Sequence, residues 1–234
     1  MRRGEANRKP GGAGIARTRR EWLARALLGG AALPLLLRSA LAAGRRSGLV
    51  KAEGEVQVNG STAKAGAAVQ PGDSVVTARG STAVIVVGQD AFLLRGGSEL
   101  LTAGSNTAIA SLRLVTGKLL SVFGRGPRLI TTPTATIGIR GTGIYIESSA
   151  ERSYVCTCYG VVDLQASNMP EARETVHTTH HDAPRYIYAR GDTPIQMIEP
   201  APVVNHTDAE LIMLEALVGR RPPFEEYGGS HRSY

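Results

Sequence analysis

Cysteine is almost absent from this chain of 234 residues. Only Cys156 and Cys158 occur, one residue apart. Two neighbouring thiols cannot staple a loop-rich secreted scaffold, so a disulfide framework is excluded. Aromatic residues are few, with one Trp and three Phe. The longest apolar run, Ala26 to Leu37, has twelve residues, short of the ~20 a membrane-crossing helix needs. No Gly-x-Ser-x-Gly elbow appears, which removes the simplest hydrolase. "GRGPRLITT" and "RGTGIY" are glycine-rich, but no helix pattern follows either, so neither reads as a phosphate cradle.

Excess charge is missing too, once its position is considered. The chain carries 27 basic and 20 acidic residues, net +7. Residues 1–42 hold nine basic and two acidic side chains, which is the whole excess; the rest has 18 of each. A basic cluster able to release counterions from phosphates is not found after residue 46. Nucleic acid is therefore rejected as a partner.

The N-terminal segment reads as an export address. The twelve-residue apolar run has the length of a signal-peptide core. "RSALAAG" follows, and the small-x-small pattern Ala40-Leu41-Ala42 places cleavage near Ala42. Ahead of the core, "TRREWLA" resembles a twin-arginine signal, with Arg19-Arg20, then Trp22 and Leu23. A core diluted by glycine and alanine, followed by Arg38, suits that route. The expectation is a periplasmic protein with residues 1–42 removed and no stable membrane span afterwards. No cysteine lies near the cleavage site, which disfavours a lipoprotein.

What the chain does have is short strands. From Gly48 to Glu147, runs such as "SVVTARGSTAVIVVGQDAFLL" alternate and are broken by glycine or Asn/Asp turns. Valine, isoleucine and threonine dominate, and no 3.6-residue period is sustained. The expectation is an all-β domain, a short-stranded sandwich or a solenoid-like stack. Near the C-terminus, Thr207 and Glu210 have capping-box spacing, Leu211, Leu214, Leu217 and Val218 supply an apolar stripe, and Gly219 closes it. One amphipathic helix is expected over 207–218, docked on the β domain.

Four stretches in order carry a family resemblance. Gly72-Asp73 precedes a strand ending at Thr77; Gly80-Ser81 opens the next; Leu112 and Leu114 lead to Gly117; and Thr132, Pro133 and Ala135 lead to Arg140, Gly141 and Thr142. Together they resemble the FecR-type periplasmic domain, over residues 48–147. The resemblance implies an all-β domain for sensing or protein contact, without catalysis. Regulators of that family usually carry a sigma-factor-holding segment and a membrane span ahead of this domain. Here residues 1–42 read as a signal, so a stand-alone exported member without direct anti-sigma activity is expected. Gly72, Asp73, Thr132, Pro133, Arg140, Gly141 and Thr142 also have ordinary turn, edge and bulge roles, and Arg140 could hold the Asp73 carboxylate.

Residues 148–234 fall outside that pattern. "RSYVCTCYGVVDLQA" alternates, placing Tyr154, Cys156 and Cys158 on one face and Val155, Thr157 and Tyr159 on the other. Cα atoms two apart on a strand are about 6.6–6.8 Å apart with nearly parallel Cβ vectors, at the far limit for a disulfide. His177, His180 and His181 follow within five residues, and His206 stands just before the helix cap. Three readings stay open. Cys156 and Cys158 with His180, His181 or His177 could hold Zn or Cu; folded export would allow loading in the cytoplasm. The thiols could form a labile redox pair. They could also be small buried apolar groups. A Cys158–His181 nucleophile pair lacks any local signature of an oxyanion hole, so no enzyme is expected. The partner is read as a protein or small ligand of unspecified identity. Converting both Arg19 and Arg20 to lysine should abolish export; a variant recovered from the periplasm at the native level would refute the twin-arginine reading.

Overall fold

The computed structural model describes residues 47–105 and 108–226. The signal expected over residues 1–42 lies outside them. Among the described residues fourteen strands form, with three short helices. The strands are β1 Gly48–Glu53, β2 Val56–Val58, β3 Ser61–Thr62, β4 Ser74–Thr77, β5 Thr82–Val87, β6 Asp90–Leu94 and β7 Ser98–Ser105. They continue as β8 Ala108–Val122, β9 Pro127–Thr131, β10 Ala135–Ser148, β11 Arg152–Ala166, β12 Met169–Thr178, β13 Arg185–Tyr188 and β14 Ile198–Pro200. The helices are α1 Pro194–Met197, α2 Asp208–Leu217 and α3 Pro223–Glu226.

The all-β architecture with one C-terminal helix of any length is as expected. Hydrogen bonds join all fourteen strands into one branched sheet. Pairing is antiparallel except between β8 and β9. The long β10 is a branch point: its first half pairs with β9, its second half with β8, and both halves with β11. The β10–β11 pairing spans residue 147, where the family resemblance ends. The Cys-containing segment is thus hydrogen-bonded directly to the domain before it.

The apolar runs explain the layering. Along β5, Ala83, Ile85 and Val87 face one core and Val84 and Val86 face a second. Such a strand is buried on both sides and reads as a continuous apolar run. The first core gathers residues from most of the sheet, including Phe92, Leu114, Ile137, Ile146 and Leu164. The second lies on the opposite face, where Val86, Leu120, Tyr145, Tyr154, Cys156 and Cys158 meet Leu211, Leu214 and Phe224 from the C-terminal segment.

Two of the FecR-like motif residues, Asp73 and Thr132, shape turns. Asp73 accepts hydrogen bonds from the Gln70 N–H at 2.7 Å and Asn59 Nδ2 at 2.7 Å, closing the turn before β4. Thr132 Oγ1 accepts from the Ala135 N–H at 2.9 Å and shapes the bend around Pro133. Ser153 donates to the same oxygen at 2.7 Å, tying that bend to β11. Arg140 does not hold Asp73. Its guanidinium is exposed and lies 3.8 Å from Asp163, because the register sets β10 against β11 there.

Helix α2 is bounded as its sequence dictates. Thr207 and Glu210 form a reciprocal capping box, satisfying two backbone donors that would otherwise lack partners. Gly219, at φ 75°, takes the left-handed position after the C-cap. A ten-residue helix is marginal alone, so docking holds it. Leu211 and Leu214 are fully buried. Arg95 Nη2 reaches Glu210 Oε1 at 2.9 Å and the Asn205 carbonyl at 2.8 Å. Tyr159 donates to Glu215, whose other oxygen accepts from Arg220 Nε at 2.6 Å. Among the described residues no helix is long and apolar enough to cross a membrane. Leu214→Ala should cost about 2–5 kcal/mol by urea denaturation. The same change at the exposed Met213 should cost far less, and equal midpoints for the two variants would contradict the docking described.

Candidate metal centre

Cys156 and Cys158 project from β11 toward the second core, as their alternation predicts. Beyond Cys158 the strand departs from simple alternation. Thr157 pairs with Ile144 and Tyr159 with Gly143, leaving Cys158 as an extra residue without a partner. This is a β-bulge, which reverses the face of every later residue. Tyr159 therefore joins the cysteines on the outer face rather than lying opposite them. Immediately beyond, Gly141 and Thr142 together oppose Gly160. Both glycines are left-handed, at φ 62° and 97°, and a Cβ on Gly160 would meet Thr142 Cγ2 at 2.4 Å. The two cysteines are unbridged.

The histidine-rich stretch is a tight turn after β12. Asp182 Oδ2 accepts from the Thr179 N–H at 3.1 Å and the His180 N–H at 3.4 Å, an arrangement that mimics a backbone turn. His181 adopts φ 55°, and its N–H donates to the Cys158 carbonyl at 3.0 Å. That bond carries its ring to the thiols. His177 is exposed on β12 and is not part of the cluster. His180 is half-buried, and its Nε2 lies 2.9 Å from Asp208 Oδ1. The group around the thiols includes His206, delivered by the loop that caps α2, while His180, His181 and Asp208 form a second group able to hold a metal ion.

The four buried donors are Cys156, Cys158, His181 and His206, with one ligand atom from each lying within 4.8 Å of the others. None of the four residues is more than 4 % exposed. Cys156 Sγ is 3.5 Å from His181 Nδ1, which is 3.0 Å from His206 Nε2. An outer layer fixes both rings. His206 Nδ1 lies 2.7 Å from the Val204 carbonyl and must donate to it, and the ring stacks on Tyr145 at 4.6 Å. His181 Nε2 lies 3.1 Å from Asp208 Oδ1, which also sits 2.9 Å from His180 Nε2. With those N–H groups assigned, His181 Nδ1 and His206 Nε2 face each other beside two sulfur atoms, able to share a proton or to meet a metal ion.

The electrostatics favour a Cys156 thiolate beside a protonated His181. The hydrogen bond from Cys158 holds the Cys156 thiol well below its ordinary range, against the opposing effect of burial and with help from His181 and His206. Burial pushes Cys158 well above it, reinforced by the Cys156 charge. At His181 burial opposes protonation, but Cys156 and Asp208 outweigh it and raise the affinity for a proton. A thiolate and a cation are therefore mutually supporting here. Cys156, His181 and Asp208 also line up in the order of a nucleophile, base and orienting acid. Cys156 has no exposed surface, so a substrate has no approach to its sulfur.

Sequence reasoning singled out Cys156, Cys158 and His181 but passed over His206 and Asp208. The signal was the string "NHTDAE": a histidine just before a helix cap is positioned by that helix, and the residue after the cap can support a ring. No family model and no curated protein matches the chain. Two crystal structures of a candidate anti-sigma factor from Parabacteroides distasonis ATCC 8503 are similar, each at 13% identity and a TM-score of 0.45. The overlap covers 55% of this chain and 58% of that protein. In the native protein both thiols should resist a chromogenic thiol reagent and react once the chain is unfolded in guanidinium. Rapid reaction of either in the native state would contradict the burial described.

Proposed function

We propose that this chain is an exported, non-catalytic binding module of FecR type, distinguished by a closed Cys2His2 metal centre at Cys156, Cys158, His181 and His206. One observation carries the reading: four buried ligand atoms, one each from Cys156, Cys158, His181 and His206, lie within 4.8 Å of one another, with the far ring nitrogens held by Asp208 and the Val204 carbonyl. The facing nitrogens, 3.0 Å apart, can share a proton or turn toward a common metal ion, and the two sulfurs beside them favour the metal. Metal-binding histidines commonly have this kind of outer support, from a carboxylate or a backbone carbonyl.

The donor set favours Zn2+, with Cu+ as the other fit. Two sulfurs and two nitrogens in a compact group suit a tetrahedral, thiophilic ion. With Zn–S near 2.3 Å and Zn–N near 2.05 Å, a tetrahedron sets sulfur and nitrogen about 3.5 Å apart and the nitrogens about 3.3 Å apart. The observed 3.5 and 3.0 Å need only a few tenths of adjustment. Two thiolates neutralise the dication, which suits the apolar surroundings of Leu120, Leu211 and Leu214. Four protein donors leave no open position for substrate, the pattern of structural rather than catalytic zinc. The twin-arginine-like signal supports loading before export, because that route carries folded chains.

The test is the metal content of the purified mature protein. About one equivalent of zinc or copper per chain, lost in Cys158→Ser and in His206→Ala, is expected from the four-ligand set. His180→Ala should keep its metal. A protein that contains no metal and takes none up on titration with Zn2+ or Cu+ would overturn the proposal.

A further inference from the structure

The four ligands come from three separate stretches: Cys156 and Cys158 from β11, His181 from the turn after β12, and His206 from the loop before α2. The last of these belongs to the segment that covers the site. Phe224 packs against the His180 ring at 4.6 Å and the Tyr159 ring at 6.0 Å. Leu211 and Leu214 lie in the same apolar cluster as both cysteines. Tyr154 is gripped twice by the covering chain, donating to the Pro202 carbonyl at 2.9 Å and accepting from the Val204 N–H at 3.2 Å. An ion at these four atoms is enclosed between the sheet and residues 202–224. It cannot enter or leave unless that segment lifts.

We infer that the metal is the clasp that fastens the C-terminal segment, residues 202–226, to the outer face of the sheet, so that metal occupancy governs whether the segment is docked or released. This rests on the Cys2His2 reading and adds what the site does. Metal binding and docking share His206, and coupling between them must run both ways. The remaining contacts of the segment are the Arg95–Glu210 pair, the two hydrogen bonds to Tyr154, the Tyr159–Glu215 bond, Asn205 on Glu147, Arg220 on the Gln89 carbonyl, a short helix and a few buried apolar side chains. The inner core needs none of them, since no residue of this segment contributes to it. Release would therefore leave the rest of the sheet folded and uncover Val86, Leu120 and Tyr145.

Hydrogen exchange on the mature protein tests this, comparing the zinc-loaded form with the form stripped by chelator, metal content being measured on each sample. Stripping should accelerate exchange in residues 205–218 by at least about tenfold, within the usual range of coupling between sites. Strands β5 to β8 should be unchanged, and added Zn2+ should restore protection. Stoichiometric zinc with equal α2 protection in both forms would overturn the clasp and leave the metal site standing. So would a loss of protection spread evenly over the whole sheet. Failure to bind metal at all would instead remove the site itself. Leu214→Ala, which removes no ligand, supplies the reciprocal arm: it should speed zinc transfer to a chromogenic chelator by about tenfold. An unchanged rate in a folded Leu214→Ala protein would overturn the inference.

Discussion

Two imidazole nitrogens 3.0 Å apart in a buried site need a proton or a metal ion between them. That constraint organises the outer half of this molecule. It requires the Val204 carbonyl and the Asp208 carboxylate to hold the far nitrogens. It requires the turn after β12 to bring His181 within reach of the Cys158 backbone. It also requires the start of α2 to sit where His206 can stack on Tyr145. Each contact is ordinary by itself. Their convergence on a small buried volume is what sets this β protein apart from one held together by apolar packing alone.

Asp208 has a double position in that arrangement. It occupies the first turn of α2, where a carboxylate is favoured by the exposed N–H groups and the helix dipole. The same carboxylate receives the ring nitrogens of His180 and His181. Helix formation and ring orientation thus draw on one buried charge. The helix start is both a local structural signal and part of the support behind the ligands.

Much of the scaffold could be read from the residues, because its determinants are local. The strand runs, the glycine turns and the capping box of α2 each depend on side chains a few positions apart. The shared face of Tyr154, Cys156 and Cys158 follows from the period of two. The bulge at Cys158 did not follow, since it arises from how β10 and β11 are matched over twelve paired positions. The nearness of His206 to the thiols was hidden for a similar reason. His180 is adjacent to His181 in sequence, yet successive residues in a tight turn point in different directions, while His206 is brought in by docking of a distant helix. Arg140 shows the same limit: its neighbour Asp163 is set by strand register, not by proximity in the chain.

The single unpaired residue at Cys158 has a further consequence for how such a protein can change over generations. One residue inserted in a strand reverses the outlook of everything after it, yet Val155 before the bulge and Val162 and Leu164 after it all remain in the same inner core. The inner face is therefore indifferent to what the outer face carries. Sequence drift on the outer side can add, lose or replace a binding chemistry without re-solving the packing problem on the inner side. The sheet behaves as two surfaces with separate histories, joined by one backbone.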